Sequence, residues 1–233
     1  MQVFIGSDPR QPVAYTVVAH SVWTRATKPV SITRLQLGQL PITRRGLTEF
    51  TYTRFLIPYL CQYQGQGIFL DADMLCLGDI TELLAVAYLE QVQQAREPAV
   101  WVVPHERAFE RPSMMVFNNA RCAILTPEYV QDGKNGLYDL AWAESVGSLP
   151  PEWNHLVGYD APNPSAKLIH FTMGIPCWPE TKTCEFSAEW NREAKHAMGT
   201  VSYAALMGNS IHHQHVAAGV LRGEKPSVLV PAT

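Results

Sequence analysis

Residues 68–73 read Ile68-Phe69-Leu70-Asp71-Ala72-Asp73, and this stretch decides the fold. Three large apolar residues in a row, preceded by the breakers Gly65 and Gly67, mark a strand buried on both faces, as at the centre of an α/β sheet. The two aspartates follow where such a strand leaves the core. Carboxylates two residues apart repel, and each resists ionisation unless something cationic lies between them. A divalent ion resolves the conflict, and hard oxygen donors suit Mn²⁺ or Mg²⁺. Such an ion can bridge to a diphosphate and neutralise a departing nucleoside diphosphate. The plainer alternative is a strand-end turn carrying two solvated aspartates.

Toward the N-terminus, Val3-Phe4-Ile5 forms another short buried strand, ended by the turn Gly6-Ser7-Asp8-Pro9. Residues 12–24 then carry Val13, Val17, Val18 and Val22 at helical spacing. Strand, turn and helix in that order is how a nucleotide-binding α/β fold often begins. A strand is expected at 30–35 and an amphipathic helix at 48–63, kinked or ended by Pro58. Beyond the aspartates, Asp79 is expected to cap a helix that starts at Ile80. Strands are expected at 100–103, 114–117 and 167–171, and a terminal helix at 188–198. Alternation of this kind predicts an α/β layered sheet. The expected division is a main domain of residues 1–190 followed by a C-terminal helix and tail, 191–233.

His170 closes the strand 167–171 and is followed by Phe171-Thr172-Met173-Gly174. Neutral imidazole is an ordinary ligand for Mn²⁺, and Gly174 would let backbone amides approach phosphate oxygens. A strand-end histidine with a purely structural role is the competing explanation. The run Ile211-His212-His213-Gln214-His215 has no paired cysteine near it and reads as a solvated tail.

Composition narrows the partners. A formal charge of −3 and a pI near 6.2 argue against a nucleic-acid binder, which needs a basic surface to displace counterions. Cys61, Cys76, Cys122, Cys177 and Cys184 show neither a CxxC pair nor zinc-like spacing, as expected of reduced thiols. No basic leader is visible, and nothing approaches the roughly 18 uninterrupted apolar residues of a transmembrane segment. A cytoplasmic location is expected.

Five pieces in order carry a family resemblance: Phe4-Ile5-Gly6-Ser7-Asp8, Tyr52-Thr53-Arg54-Phe55, Phe69-Leu70-Asp71-Ala72-Asp73, Trp153-Asn154, and His170 through Trp178. Over residues 1 to 180 the chain resembles the retaining glycosyltransferases of family 8, which include glycogenin and bacterial lipooligosaccharide galactosyltransferases. The resemblance implies the GT-A fold, a Rossmann-like architecture that binds nucleotide-diphospho-sugars, with a mixed central sheet flanked by helices. It also implies transfer of a hexose, glucose or galactose, from a UDP-sugar to an acceptor hydroxyl with retention. Asp71, Asp73 and His170 would ligate Mn²⁺, with the Ala72 backbone near the ribose. Gly6, Ser7 and Asp8 would line the uracil and ribose pocket, with Tyr15 as a stacking ring. Arg54 would reach the donor sugar or the acidic motif, and Ser113 would stand beside the sugar. The acceptor, whether carbohydrate, lipid or protein, is not specified.

Two departures matter. The family's lysine before its Pro-Trp is absent from Gly174-Ile175-Pro176-Cys177-Trp178, which leaves phosphate charge to the metal, to backbone amides or to Lys182. The acidic-glutamine segment beside the reacting sugar is not recognisable; Asp139 and Glu144 stand in the right region, and the catalytic group stays unassigned. Without a nucleophile to form a covalent intermediate, front-face attack guided by the leaving diphosphate is the expected route. Trp153 and Trp178, close to motif residues, are candidates for stacking on a sugar. The alternatives are a catalytically decayed nucleotide-sugar-binding protein and, behind it, a phosphatase with the same Asp-x-Asp after an apolar strand.

Overall fold

The computed structural model describes residues 1–199. Strand β1 (Gln2–Gly6) leads into helix α1 (Pro12–Arg25), which starts on Pro12, a residue whose missing N–H costs nothing in a first turn. The chain returns through β2 (Ser31–Leu35), parallel to β1. β3 (Gln66–Leu70) lies parallel to β1 on its other side. β4 (Met74–Cys76) follows immediately, then helix α3 (Glu82–Gln94), β5 (Val100–Val102) and β6 (Met114–Asn118), with the short helix α2 (Ile57–Leu60) lying before β3. A short helix α4 (Pro127–Gln131), β7 (Val146–Ser148), β8 (His155–Leu156), β9 (Leu168–His170) and helix α5 (Ser187–Ala197) complete the chain.

Six strands form the main sheet in the order β2-β1-β3-β6-β5-β7. β6 runs antiparallel to both β3 and β5, so the sheet is mixed. Its central strands β1, β3 and β6 are buried on both faces over most of their length, while the edge strand β2 is largely exposed. On β3, Phe69 packs into one core with Phe4, Met115 and Phe117, while Ile68 and Leu70 pack into the other with Val3, Ile5 and Val116. Period-two alternation between two cores is why the segment reads as an unbroken apolar run.

A second sheet, β4-β9-β8, positions the site. β4 and β9 pair antiparallel with Met74 opposite His170, and the Phe171 amide donates to Asp73 O at 2.9 Å. Two segments almost a hundred residues apart in sequence are thereby locked in register at the aspartate pair.

Three expectations change. Residues 48–63 do not form one amphipathic helix: a 3₁₀ turn at Thr53–Leu56 precedes the single turn of α2. Thr53, Arg54, Phe55, Leu56, Ile57 and Pro58 are all buried, so this stretch has no solvent face; Tyr59 and Leu60 beyond it are exposed, and Gln62 and Tyr63 stop the turn by taking positive φ. Asp79 is not the N-cap of α3. Thr81 holds that position, and Asp79 accepts from its amide at 2.9 Å and its hydroxyl at 2.7 Å while also bonding Thr27 beyond α1. β4, β7 and β8 are additional strands of two or three residues, too short to show a period.

Helix α5 spans the expected boundary at residue 190 and packs against α1, burying Trp190. Its Glu193 bonds His20 and pairs with Arg25 Nη2 at 2.7 Å, both on α1. The histidine run 211–215 lies outside the described residues.

Burial works against the Glu193 carboxylate, but bonds from Arg25 and His20 outweigh it and lower its pKa below the ordinary 4.5. A depressed carboxylate stabilises the fold above its unfolded pKa, and that stabilisation fades as pH falls from about 4.5 through the folded value. Glu193→Gln should therefore cost about 1–3 kcal/mol at pH 7. In urea denaturation the deficit should shrink steadily below pH 4.5; a deficit independent of pH would contradict the charge pairing.

Candidate functional site

Asp71 and Asp73 occupy the turn between β3 and β4, and His170 ends β9. Sheet pairing brings one ligand atom from each within 4.8 Å of the others, a group able to hold a metal ion. His170 Nε2 lies 3.4 Å from Asp73 Oδ1. The donor set fits a hard divalent cation on a structural observation: two carboxylates and an imidazole converge, Asp71 Oδ1 is met by Arg54, and Asp73 Oδ1 and His170 Nδ1 are buried with no hydrogen-bond partner among the described residues. Buried polar atoms are normally satisfied, so these two orphans mark a site that expects something.

Arg54 supplies the positive charge that the protein itself carries here. Its guanidinium is buried, with Nη2 at 2.8 Å from Asp71 Oδ1 and Nη1 donating to Pro112 O at 2.7 Å. The ring of Phe69 lies beneath it, 4.7 Å from the guanidinium carbon. A solvated helical face for Arg54 is therefore excluded. Burial dominates the Asp71 carboxyl and, with Arg54 pulling down and Asp73 pushing up, drives its pKa to about 7. For His170, burial opposes the charged form, but the carboxylates of Asp73, Asp71 and Glu110 prevail and raise its pKa. Ala72, between the aspartates, is buried.

These groups open on a cleft of about 110 Å³ lined also by Leu47, Thr48, Phe50, Thr51, Phe109, Glu110, Tyr138 and Thr172. Phe109 and Tyr138 stack at 4.8 Å with their planes nearly parallel. Burial pushes the Tyr138 phenol up to about 12, so it stays protonated and donates to Thr51 O at 3.2 Å. Glu110, Tyr138 and Thr172 escape sequence reasoning because they lie on turns without periodicity. Only the loop positions before β6 and after His170 hint at them.

Of the other candidates only Ser113 is bonded to this centre; Gly6, Ser7, Asp8, Tyr15 and Gly174 do not line the cleft. Gly6 ends β1, and a Cβ there would come within 2.5 Å of the Phe50 ring, so the glycine makes room for a wall of the cleft. Ser7 Oγ accepts from Arg34 Nε at 2.6 Å, and the Arg34 guanidinium lies 5.0 Å above the Tyr15 ring. Asp8 accepts from the Arg10 side chain and from the amides of Arg10 and Glu49. The Arg10 bond is the main reason its pKa falls to about 2. Ser113 is buried, donates to Glu110 O and accepts from Asn154 Nδ2 at 2.9 Å, while its carbonyl accepts from the Asp71 amide. Gly174 takes φ +113°, where a side chain is strained, and its own amide is used by Phe171 O at 2.8 Å.

Several expectations fall away. Trp153 is fully buried under Lys167 and cannot stack on a sugar, whereas Trp178 is exposed. Asp139 and Glu144 do not line the cleft; Glu144 pairs with Arg121 at 2.9 Å elsewhere on the surface. All five cysteines are unpaired, and no helix among the described residues is long and apolar enough to cross a membrane.

No protein-family model matches the chain. It is 32% identical over 222 residues to Protein CDI of Arabidopsis thaliana, covering 82% of this chain and 85% of that protein. Among solved structures, apo GlyE of Streptococcus pneumoniae TIGR4 matches with a TM-score of 0.61 at 14% identity, over 94% of this chain and 63% of that one. The bifunctional glycosyltransferase WbbM matches at 0.58 and 15% identity over 94% of this chain, which spans about half (51%) of WbbM. The galactosyltransferase LgtC, in complex with donor and acceptor sugar analogues, matches at 0.54 and 11% identity, over 84% of this chain and 96% of that one. At such identities the likeness establishes the fold, which is GT-A.

Replacing Arg54 by Ala leaves Asp71 buried without its cation and should cost about 3–5 kcal/mol of stability. Arg54→Lys should recover little, because one ammonium cannot reach Asp71 and Pro112 O in the guanidinium's forked geometry. Chemical denaturation of the metal-free protein measures both; a wild-type midpoint for Arg54→Ala would contradict the pairing.

Proposed function

The chain belongs to the family of Protein CDI of Arabidopsis thaliana, and from the cleft that ends its GT-A sheet we propose that it is a metal-dependent glycosyltransferase of family 8 type. The single observation that carries this is the convergence of Asp71, Asp73 and His170, with orphaned buried atoms, at the carboxyl end of β3. In open α/β sheets, ligands bind beyond the carboxyl ends of the strands. The donor is a UDP-hexose, the ion Mn²⁺ or Mg²⁺, and the acceptor a hydroxyl of a carbohydrate, lipid or protein.

Each part of the chain has a task in this reaction. Asp71, Asp73 and His170 hold the ion, which supplies Lewis-acid stabilisation of the leaving diphosphate when bound. Arg54 fixes the Asp71 carboxylate in place and keeps the floor of the cleft from carrying unopposed negative charge. Gly6, Ser7, Asp8 and Tyr15, beside β1, take the nucleoside, and the Ala72 backbone stands by the ribose. Ser113 and Gly174 frame the sugar and phosphates. A cleft of about 110 Å³ is small beside ligand pockets of roughly 300–1,000 Å³. It suits the ion and the sugar-phosphate end of the donor. The stacked rings of Phe109 and Tyr138 form an aromatic wall on one side of it. Retention follows from front-face attack, with the diphosphate oxygen taking the acceptor proton and the protein providing orientation and charge stabilisation.

A phosphatase using Asp71 as nucleophile is disfavoured by the same geometry, since its carboxylate is buried and held by Arg54. Incubation with Mn²⁺ and a panel of UDP-hexoses should release UDP, and Asp73→Asn should lower that rate by at least about 100-fold, a loss comparable to removing one electrostatic stabiliser. UDP binding that ignores Mn²⁺, together with no release from any donor, would sink the proposal. Mn²⁺-dependent UDP binding without turnover would instead identify a decayed transferase.

A further inference from the structure

His170 presents its two nitrogens to different surroundings. Nε2 faces Asp73, 3.4 Å from its Oδ1. Nδ1 is buried and makes no hydrogen bond with any described residue. The carboxylate that faces it is Glu110, whose Oε2 lies 4.0 Å away. An imidazole that ligates a cation through Nε2 keeps its proton on Nδ1, and metal-bound histidines usually donate that proton to a carboxylate, carbonyl or water.

Glu110 is held where it can accept. It sits in the 3₁₀ turn Ala108–Ser113, and its own carbonyl receives the Ser113 hydroxyl and, at 3.4 Å, Asn154 Nδ2. The Ser113 carbonyl accepts from the Asp71 amide at 2.9 Å, so the turn is tied directly to the aspartate motif. The Glu110 side chain is largely buried, lines the cleft, and has His170 as its one charged neighbour within 4.0 Å among the described residues. That separation is an ion-pair contact, longer than the roughly 2.9 Å of an ordinary hydrogen bond.

We propose that Glu110 is the positioning residue for His170: it accepts the Nδ1 proton, fixes the tautomer that leaves Nε2 open toward Asp71 and Asp73, and thereby sets the affinity for the divalent cation. This rests on the metal-centre reading of the site. Its test is a Mn²⁺ titration of the whole chain, followed by the electron paramagnetic resonance signal of the free ion, with and without UDP. Glu110→Ala should weaken Mn²⁺ binding by about 10- to 100-fold, the usual cost of losing such a partner. Glu110→Gln, whose amide oxygen still accepts, should restore most of it. If Glu110→Ala fails to fold, Glu110→Met, apolar and similar in length, carries the same expectation. Wild-type affinity in the Ala or Met variant would overturn the proposal, and so would a Gln variant as weak as Ala, which would make Glu110 a direct ligand. If the wild-type chain binds no Mn²⁺ under either condition, the metal-dependent transferase itself fails, and this assignment with it.

Discussion

Two carboxylates placed side by side at the end of a strand buried on both faces present a charge problem that the surrounding structure is arranged to meet. In water the repulsion between Asp71 and Asp73 would be slight; behind Phe69 and beside Phe50 it is magnified by the low local polarity. The protein answers with a buried guanidinium on one side and an imidazole on the other. Neither answer is complete. The Asp71 carboxyl still sits near neutrality in its pKa, and Asp73 Oδ1 lacks a hydrogen-bond partner among the described residues. A site left short of positive charge is suited to a divalent cation.

What makes the arrangement exact enough to matter is backbone, not side chain. The main sheet sets where β3 ends, and the small β4-β9-β8 sheet sets what stands opposite that end. Because Met74 pairs with His170 and Asp73 O receives the Phe171 amide, the histidine cannot slide by a residue without turning its ring to the other face. The turn carrying Glu110 and Ser113 is bonded to the Asp71 amide in the same way. Ligands, their supports and the walls of the cleft thus share one hydrogen-bonded frame, which is how a site on loops gains the rigidity of a site on strands.

Legibility in the sequence follows the same division. The central strand was plain because Ile68, Phe69 and Leu70 feed two cores and leave no polar interruption. α1 was plain from its valine spacing, and the metal-binding potential of Asp71 and Asp73 from like-charge chemistry. Residues 48–63 were misleading, since the run 53–58, buried all round, imitates amphipathic spacing, while Tyr59 and Leu60 are exposed and the positive φ of Gln62 and Tyr63 ends the turn. Trp153 stood near a motif and proved to be core. Glu110 and Tyr138 gave no local signal, because a side chain on an irregular turn is aimed by contacts from elsewhere.

By itself the sequence determined an α/β chain with a buried strand delivering two carboxylates to one edge, since apolar runs, breakers and charge spacing are local properties that act wherever the chain goes. Tertiary structure alone decided which distant groups meet those carboxylates: Arg54 from a buried 3₁₀ turn, His170 through the register of β4 with β9, Glu110 behind the imidazole. Those meetings depend on strand pairing and packing between segments tens of residues apart. No periodicity along the chain encodes a distance across it.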